Sequence, residues 1–404
     1  MGSYITLDLE RFQIDWGKNF GFRNHSALFL ATDWASATYY YADDVQEANP
    51  AYVRKLRDMV RRLDLLGHTI DACRQRYESA TRDVQAEHPD VDLSFPTFCE
   101  ALWSIDLSRS SLDAEREEDT ERLYSLHLSE WSELAIAVFR QPKFREMAEV
   151  LTATIVHNDA NVFDVISPYD VLRILAEDAS KRDENVIWRV YDIIDGGYAD
   201  EKDLHVGLAA EQRRLIVTEG SSDSSILEAS LRQLFPDVAE FFDFVDMKEH
   251  YPFTGTGNLI NFCKGLAKIR VLNKILFILD NDTVGRDAER RLRSLSLPEN
   301  IRIMLLPELE ELRYFRTMGP SGGAFEDVNG RACAIECFLD LSFGSGELPA
   351  VRWTSYSPVM NAYQGELVGK ERFTKSFFEN HAAGAYNVTK LTRLWEHIFR
   401  VCSV

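Results

Sequence analysis

The chain lacks the features that mark membrane proteins, secreted proteins and zinc modules. No apolar run approaches the roughly 20 residues that span a bilayer, and the start, Met1-Gly-Ser-Tyr-Ile, has no basic segment followed by an apolar one. None of the six cysteines belongs to a Cys-x-x-Cys pair, so neither a zinc site nor a disulfide framework is indicated. We therefore expect a cytoplasmic protein with no membrane association and with free, buried thiols.

Positive charge is also scarce. The formal net charge of -20 argues against a protein that coats nucleic acid by bulk electrostatic attraction. Any contact with nucleic acid is then expected to be local, assisted by metal or helped by a partner. Basic residues outnumber acidic ones after Val351, and this stretch is a candidate phosphate-binding surface: Arg352, Lys370, Arg372, Lys375, Lys390, Arg393 and Arg400.

The composition is that of a folded protein with more than one domain. The 404 residues are 45% hydrophobic and 27% charged, and they contain no low-complexity tract or internal repeat. Short β-prone pieces occupy the chain to about Ala42, and apolar residues at helical spacing follow from Ala51. The pattern, which includes a helix over Val186 to Ile194, predicts a mainly α-helical (α+β) N-terminal domain over residues 1–200.

Beyond residue 210 the pattern alternates between strands and helices. Four apolar runs of strand length, separated by stretches with helical periodicity, predict a parallel α/β sheet within a domain over residues 210–404. The predicted strands are Leu215–Thr218, Phe241–Val245, Lys274–Leu279 and Ile301–Leu306. A further helix is predicted around Ala332 to Leu341.

Two of these strands end in acidic clusters. The first reads Arg214-Leu-Ile-Val-Thr-Glu219-Gly220-Ser-Ser-Asp223, and the second Lys274-Ile-Leu-Phe-Ile-Leu-Asp280-Asn-Asp282-Thr-Val-Gly285. The carboxyl ends of parallel strands meet at one edge of a sheet, so four carboxylates are expected to lie together. Such a group repels itself unless a cation is present, and its oxygen ligands suit Mg²⁺ or Mn²⁺ better than zinc. The two glycines are expected to permit turns that side chains would crowd.

These motifs resemble those of the Toprim domain. Glu-Gly-x-x-Asp followed by Asp-x-Asp-x-x-Gly is typical of it, and the resemblance implies a Rossmann-like parallel sheet that performs metal-dependent work on phosphodiesters. Asn329-Gly330-Arg331-Ala332-Cys333-Ala334-Ile335-Glu336 resembles the helix by which the nuclease branch of the overcoming-lysogenization-defect group contributes another carboxylate. Gln364-Gly365-Glu366 followed by Lys370 resembles the lysine segment of that branch.

The N-terminal part also has a resemblance. Its opening, with Asp15-Trp-Gly17-Lys-Asn and the helical region that follows, is similar to the HEPN/Toprim N-terminal domain found in bacterial anti-phage proteins. HEPN ribonucleases use an Arg-x(4-6)-His motif, for which Arg122 to His127 is a local candidate. Residues five apart do not share a helical face well, so we interpret His127 as structural and the domain as a non-catalytic scaffold or partner-binding module.

The chemistry of phosphodiester hydrolysis suggests a role for each site residue. Asp280 and Asp282 are expected to be the principal metal ligands, with Asp223 and Glu336 as further ligands. Glu219 would complete the metal shell or deprotonate the attacking water, and Lys370, or else Lys375, would supply positive charge to the transition state.

The leading hypothesis is a Mg²⁺- or Mn²⁺-dependent endonuclease that cleaves DNA or structured, tRNA-like RNA as the effector of an anti-phage system. An ATPase partner and a homo-oligomer are expected with it. Two alternatives remain open: a non-catalytic regulatory or assembly subunit of a defence complex, and a haloacid-dehalogenase-type phosphatase with Asp280 as nucleophile.

Overall fold

The computed structural model describes residues 2–41, 45–108, 133–157, 160–204, 207–245, 256–319, 322–343, 348–382 and 384–403. By its internal contacts the chain divides into two units, Met1–Gly207 with Ser403–Val404, and Leu208–Cys402. Among the described residues, no helix is long and apolar enough to cross a membrane.

The first unit contains a five-stranded antiparallel sheet with the strand order β2-β1-β7-β4-β3. Trp188 on the central strand β7 is 0% exposed and stacks on the ring of Tyr52 from β4, with the ring centres 5.5 Å apart. A separate two-stranded ribbon joins β5 to β6. The strands are β1 (Tyr4–Leu9), β2 (Phe12–Lys18), β3 (Trp34–Tyr40), β4 (Gln46–Lys55), β5 (Ile155–His157), β6 (Ala160–Asn161) and β7 (Asn185–Arg189).

Helices cover this sheet with their apolar faces. In the first helix, α1, the buried residues Leu56, Met59 and Leu63 recur at helical spacing and pack into the same core as Trp188. The helices are α1 (Leu56–Leu65), α2 (Ile70–Glu87), α3 (Phe95–Trp103), α4 (Glu133–Phe139), α5 (Arg145–Ala153), α6 (Val162–Val165), α7 (Pro168–Leu175), α8 (Tyr191–Asp195) and α9 (Glu201–Leu204).

A buried carboxylate on α7 joins the helices of this unit. Asp170 is 4% exposed and accepts hydrogen bonds from Arg76 Nε at 2.8 Å and from His68 Nδ1 at 2.6 Å. Burial raises the pKa of Asp170, but the hydrogen bonds from His68 and Arg76 outweigh it and hold the pKa at about 2. Asp170 is therefore an ionised link between α2 and α7.

The second unit contains a four-stranded parallel sheet with the order β12-β10-β8-β9. Strand β10 lies inside the sheet, and its apolar residues from Ile275 to Leu279 are buried, as expected for a strand covered on both faces. The elements are β8 (Arg214–Val217), α10 (Ser221–Leu234), β9 (Phe242–Phe244), α11 (Thr256–Ile269), β10 (Lys274–Leu279), β11 (Asn281–Asp282), α12 (Thr283–Arg293) and β12 (Ile301–Leu305).

A second four-stranded sheet follows in the chain, with the order β14-β13-β16-β17. Strand β11 pairs with β15 in a separate two-stranded ribbon. Strand β17 contacts the residue before β15, because the Gly365 N–H donates to the carbonyl of Arg331 at 2.9 Å. The elements are β13 (Phe315–Gly319), β14 (Gly322–Glu326), β15 (Ala332–Cys333), β16 (Val351–Ser357), β17 (Ala362–Leu367), α13 (Lys370–Asn380) and α14 (Thr389–Ser403).

Three local predictions were wrong. Val186 to Ile194 is strand β7 followed by the short helix α8, because its first residues pair with β1 and β4 in the sheet core. Ala332 to Leu341 is the short strand β15 followed by a 3-10 helix, Ile335–Phe338. Residues from Ala51 to Lys55 belong to β4, and the helix begins only at Leu56.

Other predictions agree with the structure. The four strands of the parallel sheet lie where they were expected, to within two residues at either end. All six cysteines are buried and free. Arg122 and His127 lie outside the described residues.

Candidate active site

The two acidic motifs meet at one edge of the parallel sheet. Strands β8 and β10 are parallel neighbours in a register that places Val217 beside Phe277. Both strands then end, and the backbone N–H of Asp280 donates to Glu219 Oε1 at 3.2 Å. The carboxylates that follow each strand are therefore neighbours, as the sequence predicted.

Asp223 and Asp282 lie at the starts of the next two helices. The Gly220 N–H donates to Asp223 Oδ2 at 3.1 Å, and the Gly285 N–H donates to Asp282 Oδ1 at 2.8 Å. These bonds satisfy backbone donors that have no partner within a helix, and they fix each carboxylate beside its strand end. The same two side chains thus shape the backbone and point negative charge at the sheet edge.

Glu336 joins this group from a distant part of the chain. It lies on the 3-10 helix Ile335–Phe338 and is only 6% exposed. This 3-10 helix contacts α10, which begins beside the end of β8, and the charge of Glu336 raises the pKa of both Asp223 and Asp280. The resemblance implied a carboxylate in this segment, and the structure brings it to the other four. We call Glu219, Asp223, Asp280, Asp282 and Glu336 the acidic cluster.

Mutual repulsion and burial dominate the electrostatics of the cluster. Burial, and then the charges of its four acidic neighbours, raises the pKa of Asp280 well above its ordinary value. Burial, followed by the charges of Glu336 and Glu219, raises the pKa of Asp223 from 3.8 to about 7. Five carboxyl groups at this edge cannot all ionise without opposing charge, so the cluster holds protons or binds a cation.

Gly285 is required by the backbone of the site. A Cβ atom at this position would lie 2.0 Å from the carbonyl oxygen of Asp280, so any side chain would force the strand end and α12 apart. Gly220 is different, because its φ of -137° and ψ of 160° suit any residue and a Cβ would lie no closer than 3.5 Å to Asp223 Oδ2. The predicted crowding therefore holds for Gly285 and not for Gly220.

The residue that the sequence left without a role is Gln364 on β17. Its Nε2 donates to Asp282 Oδ2 at 2.5 Å, and its Oε1 accepts from the Thr283 N–H at 2.9 Å. Thr283 Oγ1 also donates to the carbonyl of Tyr363 at 3.0 Å. Asp282 is therefore held from two sides, by the start of α12 and by β17. Gln364 belongs to the segment before Lys370 that resembles the lysine segment of the nuclease branch, but no local pattern predicts its contact with Asp282, 82 residues away in the chain.

The basic residues expected at the site are less well placed. Lys370 is exposed in the first turn of α13, and no contact in the described part of the chain joins it to the acidic cluster. Lys375 is exposed and pairs with Glu379 at 3.8 Å. Lys390 Nζ donates at 2.5 Å to the carbonyl of Cys337, the residue after Glu336, so it contacts the backbone of the 3-10 helix that carries Glu336. The role given to Lys370 stays a prediction.

The arginines of α12 are engaged along their own helix. Arg290 pairs with Asp287 at 2.6 Å and Arg293 with Glu289 at 2.8 Å. These salt bridges compete with any binding of phosphate by the same side chains.

The chemistry of the acidic cluster fits Mg²⁺ or Mn²⁺, which prefer several carboxylate oxygens. Within the described residues, no three His, Cys, Asp or Glu side chains are arranged to hold a metal ion as they stand. Asp223 and Asp282 direct oxygens to the backbone caps, so metal binding requires these side chains to turn. The donor set therefore suits a hard divalent cation, while its geometry needs local rearrangement.

An open parallel α/β sheet with polar side chains at the carboxyl ends of adjacent strands defines a class of domains that bind ligands at that edge. Residues 1–212 match the family model described as HEPN/Toprim N-terminal domain 1, and because the match covers more than half of the chain, the protein belongs to this family. The family name indicates a nuclease-like function. The matched region ends just before β8, so the acidic cluster lies beyond it. No curated protein and no solved structure matches the chain.

Proposed function

We propose that this protein is a Mg²⁺- or Mn²⁺-dependent endonuclease of Toprim type. The observation that carries the proposal is the acidic cluster, in which carboxylates from three separate parts of the chain lie close enough for their charges to raise the pKa of Asp223 and of Asp280. A nuclease-like function is in keeping with the family to which the chain belongs. The substrate is DNA or structured, tRNA-like RNA.

Each residue of the cluster has a part in this mechanism. Asp280, Asp282, Asp223 and Glu336 would hold the metal, which when bound supplies an activated water and relief of charge on the phosphate oxygens. Glu219 Oε1 already contacts the Asp280 backbone, and from there it would complete the metal shell or accept the proton of the attacking water. Lys370 would move toward the phosphate and stabilise the transition state, with Lys375 as the competing candidate.

The biological setting is also proposed. We infer that the protein acts in the cytoplasm as the effector of a bacterial anti-phage system, restrained by a partner such as an ATPase. The first unit would serve as scaffold, as partner-binding module or as the surface of a homo-oligomer. Co-purification of the tagged protein with the product of a neighbouring ATPase gene would support this, and isolation of a lone active enzyme would contradict it.

Cleavage of nucleic acid is the direct test. Purified protein is incubated with plasmid DNA, single-stranded DNA and total tRNA, with Mg²⁺, Mn²⁺ or chelator. We expect cleavage only with metal, and a loss of at least about a hundredfold in the Asp280→Ala, Asp282→Ala double variant. The matched control is Asp287→Ala, which removes an acid of the same region that pairs with Arg290, and it should cleave as the wild type does.

Two outcomes would contradict the proposal. Cleavage that survives in the Asp280→Ala, Asp282→Ala variant would mean that the site is elsewhere. No cleavage by the wild type, with Mn²⁺ and the partner present, would favour the regulatory or assembly subunit. That second candidate has one observation behind it, which is that the described carboxylates are not arranged to hold a metal without movement.

The phosphatase alternative is weaker. A haloacid-dehalogenase-type phosphatase usually opens its fold with the strand that carries the nucleophile, whereas here β8, followed by Glu219 and Gly220, precedes β10 and Asp280 in the same sheet. Trapping of an aspartyl-phosphate at Asp280, absent in Asp280→Asn, would establish that alternative, because a nuclease forms no such adduct.

A further inference from the structure

Three aromatic side chains lie together on the second four-stranded sheet of this unit, near the acidic cluster. Trp353 and Tyr356 belong to β16, and Tyr363 belongs to β17. The ring centre of Tyr363 is 6.2 Å from that of Trp353 and 5.1 Å from that of Tyr356. We call these three residues the aromatic group.

The three rings share one face of the sheet. Trp353 pairs with Gly365, two residues from Tyr363 on β17, and a one-residue bulge in β16 then brings Tyr356 opposite Tyr363. Side chains two apart on a strand, and directly paired residues, project to the same side. The absence of a side chain at Gly365 leaves room, since a Cβ there would lie 2.9 Å from the Trp353 ring.

This aromatic surface faces solvent. Tyr356 is 48% exposed and Tyr363 is 53% exposed. The guanidinium of Arg331 lies over the Trp353 ring, 4.6 Å from its centre, and is paired with Glu326 at 3.3 Å. The exposed rings of Tyr356 and Tyr363 therefore suit a flat, uncharged group that stacks on aromatic faces.

The aromatic group lies one residue from the margin of the acidic cluster. The carbonyl of Tyr363 accepts from Thr283 Oγ1 at 3.0 Å, and the side chain of the next residue, Gln364, contacts Asp282. Neighbouring residues of a strand project to opposite faces, so a nucleic-acid strand that leaves the rings reaches the carboxylates by passing over β17, which is the last strand of its sheet.

Charge decides which part of a nucleic acid the rings can hold. The chain carries a net charge of -20, and the cluster itself is acidic, so attraction to phosphates supplies little binding energy. The faces of the bases are uncharged, and stacking of bases on aromatic side chains contributes about 1–3 kcal/mol per base without regard to sequence. Only unpaired bases can stack in this way, because paired bases keep their faces inside the duplex.

We propose that the aromatic group binds unpaired bases of a nucleic-acid strand, so that the substrate is a single-stranded or locally unpaired segment whose backbone continues to the acidic cluster. This inference deepens the proposed nuclease function and rests on it for the role of the cluster. It does not distinguish the sugar, so DNA and RNA are separate arms of the test.

Binding is measured by fluorescence anisotropy with the full-length protein in chelator, so that nothing is cut. The probes are a labelled oligothymidylate and an oligouridylate of about 15 nucleotides, and a duplex of the same length. We expect the wild type to bind the single strands in preference to the duplex, with an affinity that changes little with salt. The Tyr356→Ala, Tyr363→Ala variant should lose about tenfold or more in affinity for the single strands, while Tyr356→Phe, Tyr363→Phe should retain it.

The same sheet offers a matched control. Tyr314 and Phe325 are stacked with ring centres 4.8 Å apart and are 73% and 50% exposed. Phe325 pairs with Arg316, and the register of β13 with β16 places this pair on the face opposite Trp353. Tyr314→Ala, Phe325→Ala should leave binding within about twofold of the wild type.

Unchanged single-strand binding in the Tyr356→Ala, Tyr363→Ala variant would overturn the inference, as would an equal loss in the Tyr314→Ala, Phe325→Ala control. A complete absence of single-strand binding by the wild type would also overturn the inference. If the protein cleaves nucleic acid but these results are negative, the nuclease proposal stands alone. If it cleaves nothing but the rings bind single strands as expected, the nuclease proposal fails and the binding surface stands.

Discussion

Replacing Asp223 by Asn should stabilise the protein when no metal is present. The folded protein keeps Asp223 beside Glu336 and Glu219, and its pKa rises from 3.8 to about 7. Asn has the same shape, has no charge, and its Oδ1 can still accept the Gly220 N–H that Asp223 Oδ2 accepts at 3.1 Å. The variant therefore removes repulsion and keeps the hydrogen bond.

The magnitude follows from the linkage between proton binding and folding. Below about pH 4 the carboxyl is protonated in both folded and unfolded chains, so it costs nothing. As the pH rises, the unfolded chain releases the proton first, and the stability of the wild type falls until the folded carboxyl also ionises near pH 7. The full loss is at most about 4 kcal/mol, because one pKa unit corresponds to about 1.4 kcal/mol and the carboxyl is only partly buried.

Urea unfolding in chelator measures this difference. At about pH 8.5 the Asp223→Asn variant should be more stable than the wild type by up to about 4 kcal/mol, and at about pH 5 by up to about 1.7 kcal/mol. Asp287→Asn, which alters an acid paired with Arg290 outside the cluster, should show no such dependence on pH.

Metal should narrow the difference in stability between the variant and the wild type. Mg²⁺ or Mn²⁺ at about a hundred times its dissociation constant would stabilise the wild type by about 2.7 kcal/mol and the variant by less. Equal stability of wild type and variant in chelator at high pH would refute the reasoning, because the carboxylates would then not repel one another. A gain that is the same at both pH values would refute it too, since it would not come from ionisation.

Three further changes have clear expected results. Gly285→Ala should lower the stability of the protein by about 1–3 kcal/mol in thermal unfolding and abolish cleavage, because its Cβ would meet the Asp280 carbonyl at 2.0 Å. The control is Gly265→Ala on α11, where a Cβ meets open space, and it should be neutral or stabilising by up to about 1 kcal/mol. Gln364→Ala should weaken metal binding by about 10–100-fold, which would be seen as a higher metal concentration at the half-maximal rate of cleavage. Asp170→Ala should cost about 1–3 kcal/mol in urea unfolding, because it removes the buried acceptor of the half-buried His68 and of the half-exposed Arg76.

The sequence was a good guide to the parallel sheet for a physical reason. Strands β8 and β10 are short apolar runs that end abruptly in acids and glycine, and a strand buried on both faces needs this composition. The same reason explains the error at Val186 to Ile194. A fully buried strand such as β7 has no polar alternation, so periodicity alone does not separate it from a buried helix.

The candidate site was predictable only in part. The positions of Glu219 and Asp280 follow from parallel pairing, which the order of strands and helices indicates. Glu336 came from resemblance, and the helix expected around it is a 3-10 turn after the β11–β15 pairing. The contact between Gln364 and Asp282 depends on how a distant hairpin packs, and no local property of either residue encodes it.

The long separation of the site residues in the chain has a consequence for biosynthesis. Glu219 and Asp280 leave the ribosome well before Glu336, and β17 with Gln364 follows later still. A nascent or prematurely terminated chain therefore exposes carboxylates but neither the full cluster nor the bond that holds Asp282. If the cluster cleaves nucleic acid as proposed, unfinished copies of the chain lack part of the site until β17 has been synthesised and the second unit has folded.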